Sequence, residues 1–253
     1  MKKLALFISL FSLASVAHAV ELSKTRPVLL VHGWEMYSVA KTDCANKFRP
    51  IINELKNQGF TGPFLTVTYY QDSTNCDINL AKYNAKLSKN SSWRDIGQVF
   101  SNYVFDKYSR FGQPVDVLGH SMGGLVVRSA ILGGYEYQTG FSNILVEDAV
   151  TVATPHLGSS VSAFCIYAQC KSLSPTNPDF RWLSGNVKPN GMTDIDWSVQ
   201  GSTLDALVNT NSSMAMGLDA RHKKLFNGLS HNNQLTNPIS VSYMVKSLGT
   251  SEQ

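Results

Sequence analysis

The segment Val115–Arg128 reads V-D-V-L-G-H-S-M-G-G-L-V-V-R. An apolar, β-rich run, Val115–Leu118, passes through Gly119-His120-Ser121-Met122-Gly123 without a spacer into Leu125–Leu132, which packs as a helix. Gly133-Gly134 is then expected to stop that helix. A serine between two glycines at a strand-to-helix junction sits on a sharp, strained turn, and the glycines let strand and helix pack closely. The hydroxyl is left standing at the end of the sheet, the posture of a nucleophile. Because a serine hydroxyl is almost entirely protonated near neutral pH, it also needs a neighbouring base. The same pentapeptide can be a plain Gly-Ser-Gly turn with a solvated serine; the flanking strand and helix favour the chemical reading.

The elements that must position such a serine follow from the rest of the chain. Val28–His32 reads as the first strand and Phe64–Tyr70, bounded by Gly62-Pro63, as the second. Between them Phe48, Ile51, Ile52 and Leu55 recur at helical spacing, with Gly59 as the stop, giving one right-handed crossover unit. Residues 71–91 are polar and read as a long surface loop. Trp93–Phe111 is a helix opened by Ser92 with Asp95 three residues on, burying Ile96, Val99, Phe100, Tyr103, Val104 and Tyr108. Val146–Ala153 is a further buried strand. Residues 157–194 have no simple period and carry three prolines and two cysteines, which suits either a cap over a pocket or a long stapled connection. Ile195, Trp197 and Val199 alternate as in a strand, Lys224–Phe226 is the last short strand, and Asn237-Pro238 opens a closing helix through Leu248. About six strands result.

With 253 residues, 43% apolar and 16% charged, the chain suits one α/β domain. Residues 1–19 stand apart: Lys2-Lys3, the apolar stretch Leu4–Val16 and Ala17-His18-Ala19 form the pattern of a secretory signal peptide cut before Val20, leaving 20–253 as the catalytic domain. The apolar stretch is too short for a transmembrane anchor. Loss of Lys2 and Lys3 lowers the formal charge from +4 to +2, too small an excess to point to a nucleic-acid partner. Export implies an oxidising compartment, periplasmic or extracellular, and the four cysteines permit three pairings. Sequence proximity favours Cys44–Cys76 and Cys165–Cys170. No CxxC or His-rich cluster argues for a metal instead.

Three stretches together resemble the α/β-hydrolase family, and within it the small secreted bacterial lipases and esterases: Val28–Trp34, Gly119–Gly124 and Thr151–Ser159, the last reading T-V-A-T-P-H-L-G-S. The match extends at intervals from Pro27 to about Leu248. The resemblance implies a minimal α/β-hydrolase fold, a mostly parallel central sheet with helices on both faces, without the family's two leading antiparallel strands, for which seven residues before Pro27 leave no room. It also implies the chain order Ser, acid, His. His231, in a loop between the last strand and the last helix, is the expected base. His32, His120 and His156 belong to motif segments that support loops, and His222 sits among Arg221, Lys223 and Lys224. The expected acid is Asp205, although Ala206 replaces the usual glycine after it, with Asp194 and Asp196 as alternatives. Two main-chain N–H groups, of Met122 and of Trp34, are the implied oxyanion hole.

Met36 and Tyr37 are candidate acyl-pocket residues, and Phe164, Ile166 and Tyr167 offer apolar surface from the 157–194 segment or simply pack loops onto the core. The implied reaction is carboxylic ester cleavage through an acyl-enzyme, acting on acylglycerol-type lipids or other esters, with transient contact to a lipid interface and no cofactor. Asp194 and Asp196 alone do not make a calcium site, which needs six to eight oxygen ligands. An amidase or acyltransferase on the same three residues, and a non-catalytic secreted binding protein on a hydrolase scaffold, are the alternatives.

Overall fold

A computed structural model describes residues 23–35, 41–184 and 195–249. The amino-terminal segment 1–19, Met36, Tyr37 and Asp194 lie outside the described residues. Among the described residues seven strands, β1 (Val28–Val31), β2 (Phe64–Thr68), β3 (Ile78–Asn79), β4 (Val115–His120), β5 (Val146–Val152), β6 (Asp196–Ser202) and β7 (Lys223–Phe226), form one open sheet. Their order is β3-β2-β1-β4-β5-β6-β7, and every neighbouring pair is parallel.

A parallel sheet needs cover on both faces, and its strands are apolar in consecutive positions for that reason. β1 shows how one strand feeds two cores. Leu29 and Val31 join a cluster with Val117, Trp93, Phe100 and Leu125, whereas Val28 and Leu30 join Leu118, Phe48, Leu55 and Met244 on the opposite side. The first face is covered by α3 (Trp93–Lys107) and α4 (Met122–Tyr135), the second by α1 (Cys44–Asn57) and α7 (Pro238–Ser247). The ends of these helices follow their cap residues. Asp43 accepts from Asn46 N, Ser92 and Asp95 form a reciprocal capping box, and Asn237 accepts from Ile239 N and Ser240 N with Pro238 in the first turn.

Two expectations are corrected. Within 71–91, the two-residue β3 and a short helix, α2 (Leu80–Tyr83), replace a bare loop, so the sheet has seven strands rather than about six. Ile78, Leu80, Ala81 and Leu87 reach the core from a segment whose apolar residues are too sparse to show a period. Nor do Gly133 and Gly134 stop the serine's helix, since α4 runs through both to Tyr135. The side chain of Phe141 from the returning loop lies where a Cβ on Gly133 would be, 2.3 Å from its Cδ1. That glycine admits a neighbour, and the helix continues past it.

The disulfides are Cys44–Cys76, which ties the start of α1 to the segment before β3, and Cys165–Cys170. The segment after β5 contains a 3-10 turn (Ser160–Phe164), α5 (Ala168–Lys171) and α6 (Pro178–Ser184). It is anchored on α3, where Trp93 Nε1 donates to Ser172 O at 2.8 Å and the Phe180 ring lies 5.3 Å from that of Trp93. Phe164 and Ile166 do not pack loops onto the core; they are 90% and 77% exposed. Tyr167 lies under Lys89 Nζ. No described helix is long and apolar enough to cross a membrane. At the amino-terminal end of the strands Arg26 bridges two buried carboxylates, Asp116 Oδ1 at 2.8 Å and Asp148 Oδ2 at 2.7 Å.

Candidate active site

β4 delivers Ser121 to its position. The strand ends at His120, α4 begins at Met122, and the residue between them has φ 55° and ψ −128°. A non-glycine residue there costs on the order of 1–3 kcal/mol, which the surrounding packing must offset. The Ser121 N–H donates to Val152 O on β5 at 2.8 Å. The turn also needs close approach of main chains: a Cβ on Gly123 would come within 2.3 Å of Val31 O, and one on Gly33 within 2.6 Å of Ser121 Cβ. These two glycines thus press the serine, the start of α4 and the end of β1 together.

Beyond the carboxyl end of β6, Asp205 is buried and well held. Its Oδ1 accepts the N–H groups of Leu207 at 2.9 Å and Val208 at 3.0 Å, and its Oδ2 accepts Gln234 Nε2 at 3.0 Å. The same Oδ2 lies 2.8 Å from His231 Nδ1. An ionised carboxylate only accepts, so this contact places the ring proton on Nδ1 and leaves Nε2 as a lone-pair base. His231 and Ser121 line one cavity of about 140 Å³, together with Trp34 and His120. Its apolar walls come largely from two loops, Val161 and Leu173 after β5 and Leu207 and Val208 after Asp205, and Glu35, Lys47 and Asn232 form a polar side. Thus the 157–184 segment does reach the pocket.

Of the implied oxyanion donors, Met122 is the first residue of α4, where a main-chain N–H has no acceptor within its own helix. Trp34 follows β1, is half-buried and lines the same cavity.

The other histidines are held elsewhere. His32 Nε2 is 2.9 Å from Thr68 Oγ1, and burial pushes its pKa down to about 3. His156 lies between Thr151 Oγ1 at 3.0 Å and Arg128 Nη1 at 3.1 Å, with its pKa lowered well below the usual value by burial and then by the Arg128 charge. His222 pairs with Asp196 at 3.0 Å. Asp196 opens β6 and Asp205 lies beyond its far end. At about 3.3 Å per residue those ends are about 20 Å apart, which removes Asp196 and His222 from the neighbourhood of Ser121.

Two residues support the His231–Asp205 pair: Gln234, which carried no signal in the sequence, and His120, whose motif segment was expected to support a loop. Gln234, three positions after His231 in a 3-10 turn (Asn233–Leu235), is fully buried and its side-chain Nε2 orients Asp205; its main-chain carbonyl accepts Ser240 Oγ–H, and Ser240 Oγ in turn accepts Gln200 Nε2. His120 Nε2 lies 3.2 Å from His231 O, and the two rings are 4.8 Å apart. Burial first, then the charges of His231 and Lys47, drive its pKa well below the ordinary range, so His120 is a neutral brace for the His231 loop.

An all-parallel sheet covered on both faces, with a serine on a strained turn at the end of its fourth strand, defines the α/β-hydrolase fold. Comparison with known proteins agrees. Residues 92–174, which span α3, the serine turn and the first part of the segment after β5, match a family model described as "Putative serine esterase (DUF676)". Mature Bacillus licheniformis lipase BlEst2 superposes with a TM-score of 0.58 at 14% identity, over 89% of this chain and 92% of the lipase. Phospholipase PlaB from Legionella pneumophila gives 0.61 at 13% identity over 90% of this chain, and Aspergillus fumigatus lipase B gives 0.58 at 17% identity, also over 90%. The chain spans only 59% of PlaB and 53% of lipase B. No curated protein matches it in sequence.

Proposed function

We propose that this protein is an exported serine hydrolase of carboxylic esters, a lipase or esterase with Ser121 as nucleophile, His231 as base and Asp205 as its orienting acid. The observation that carries the proposal is the 2.8 Å contact between Asp205 Oδ2 and His231 Nδ1 beside a cavity shared by His231 and Ser121. In the reaction, His231 Nε2 takes the Ser121 proton as Oγ attacks the ester carbonyl. The Trp34 and Met122 N–H groups stabilise the negative oxygen that forms, a role worth on the order of 3–4 kcal/mol per donor. His231 gives its proton to the departing alcohol, leaving an acyl group on Ser121. Water, deprotonated by the same histidine, attacks the acyl carbon, releases the carboxylic acid and restores the serine.

Apolar walls from Val161, Leu173 and Leu207 suit an acyl chain. Met36 and Tyr37 are proposed as further acyl-binding residues, and the described part of the segment after β5, through Val161 and Leu173, as a cap over the site. Export is supported by the signal-peptide pattern of residues 1–19 and by two disulfides in the chain.

The test is hydrolysis of p-nitrophenyl esters from acetate to palmitate by wild type and Ser121→Ala, with organophosphonate labelling alongside. The expected result is turnover and labelling in the wild type and loss of both in Ser121→Ala. Long-chain activity that rises above the substrate's aggregation point identifies a lipase, and activity confined to short chains an esterase. Absence of serine-dependent turnover and of labelling overturns the proposal.

A further inference from the structure

A second, larger hollow adjoins the cavity at Ser121. Glu35, Lys47 and Asn232 line both, and the second, of about 540 Å³, is completed by residues that include Asn46, Arg49 and Thr236. The two chambers differ in chemistry. Beyond the three shared residues and the reacting groups, the cavity at Ser121 adds the aliphatic Pro155, Val161, Leu173, Leu207 and Val208, whereas the second chamber adds Arg49, Asn46 and Thr236 beside Pro50 and Leu235. Lys47 is paired with Glu35, while Arg49 is hydrogen-bonded to the neutral side chain of Asn46. The formal charge of the second chamber is therefore positive. Lys47 faces both chambers: after burial and His231, its charge adds to the lowering of the His120 pKa.

An ester has two ends, and the chambers divide them. The aliphatic walls suit the acyl chain, so the alcohol end is directed past His231 and Asn232 into the polar hollow. We propose that this hollow is a subsite for the alcohol portion and that Arg49, with Lys47, binds a phosphate group carried on it. The guanidinium offers a planar fork of donors that matches phosphate oxygens, and the amides of Asn46 and Asn232 add neutral donors. The preferred substrates are then acyl esters of phosphorylated alcohols, either as lipids with a phosphate headgroup or as dissolved short-chain phosphate esters. Glu35 tempers the preference by occupying Lys47. This inference rests on Ser121 being the nucleophile.

The experiment compares kcat/KM for 1-butyrylglycerol 3-phosphate with that for 1-butyrylglycerol, at low and high ionic strength. The wild-type ratio is expected to exceed one and to fall toward one as salt screens the exposed arginine. Arg49→Glu is expected to lower the ratio by about tenfold or more, Arg49→Lys to retain part of it, and Glu35→Gln to raise it by releasing Lys47. A wild-type ratio of one or less, or a ratio that Arg49→Glu leaves unmoved, overturns the subsite while organophosphonate labelling and neutral-ester turnover leave the hydrolase standing. Failure to cleave either ester, with no labelling, overturns the hydrolase reading and the subsite with it. The same ratio for long-chain lysophosphatidate over monoacylglycerol, below and above aggregation, separates the two sources. A preference only in aggregates assigns the subsite to lipid headgroups, and one already present in solution assigns it to dissolved phosphate esters.

Discussion

Among the described residues, two His–carboxylate pairs have nearly the same contact distance, 2.8 Å for His231–Asp205 and 3.0 Å for His222–Asp196. Surroundings separate them. Asp205 collects two main-chain N–H groups and Gln234 in addition to the histidine, and His231 shares a cavity with Ser121. His222 is partly exposed, contacts Arg221 and sits near the amino-terminal end of β6. His231→Ala is therefore expected to reduce ester hydrolysis to background, while His222→Ala retains activity within about threefold, since it lies outside any contact with the reacting groups. Asp205→Asn should cost on the order of 10⁴ in kcat by favouring the wrong tautomer, and Asp196→Asn should not. Steady-state kinetics on a soluble ester checks all four. Loss of activity in the His222 and Asp196 variants alone would reassign the base and the acid.

At the scale of elements, α4 is the piece whose register matters most, because its first residue follows the serine. Glycine in a helix interior is about 1 kcal/mol worse than alanine, so Gly133→Ala raises intrinsic helicity. Packing opposes this: the added methyl would lie 2.3 Å from Phe141 Cδ1 and 2.5 Å from Cγ. Overpacking of that kind costs typically 1–3 kcal/mol, which exceeds the propensity gain. Gly133→Ala is expected to lower stability by about 1–2 kcal/mol in denaturant unfolding, and Gly133→Ala with Phe141→Leu to recover part of it. An increase in stability from the single variant would mean that Phe141 yields easily.

For the whole molecule, two terms stand out. Asp116 and Asp148, on neighbouring strands, are pushed up to about 7 and about 8 chiefly by burial, with the Asp116 charge adding to the effect at Asp148 and Arg26 opposing both. The two short bonds to Arg26 favour one ionised carboxylate, so the pair shares a single proton near neutral pH. The native state then holds a proton that the unfolded chain gives up above its ordinary carboxylate pKa of about 4. Native stability accordingly declines as pH rises from about 4 to about 8. Asp148→Asn should flatten that decline by on the order of 1–3 kcal/mol, read from unfolding at pH values across the window.

The second term is the Cys44–Cys76 link, with a sequence separation of 32. Loop-closure entropy puts its contribution at about 3–4 kcal/mol, more than the about 2 kcal/mol of the short Cys165–Cys170 loop. Cys44→Ser with Cys76→Ser should thus destabilise more than the equivalent change at Cys165 and Cys170. The reverse order in unfolding free energies would show that the short link restrains more of the chain than its length implies.

What the sequence determined by itself was whatever depends on neighbours along the chain. The strand–Gly-x-Ser-x-Gly–helix junction, the Ser92–Asp95 box and the Asn237-Pro238 helix start were all legible because their physics acts within a few residues. The apolar runs of β1, β4 and β5 were equally plain, since both faces of each are buried and periodicity is not needed to see them. Tertiary structure alone decided the matters that join distant segments. It brought Asp205 to His231 and sent Asp196 to His222, two choices that residue type cannot distinguish. It made β3 and α2 out of a polar stretch by giving Ile78 and Leu80 a core to enter. It let α4 run on through Gly133 to admit Phe141, and it set Lys47 and Arg49 in a hollow beside the serine. Each of these rests on an approach between side chains and backbone that only the packed sheet and its covering layers create.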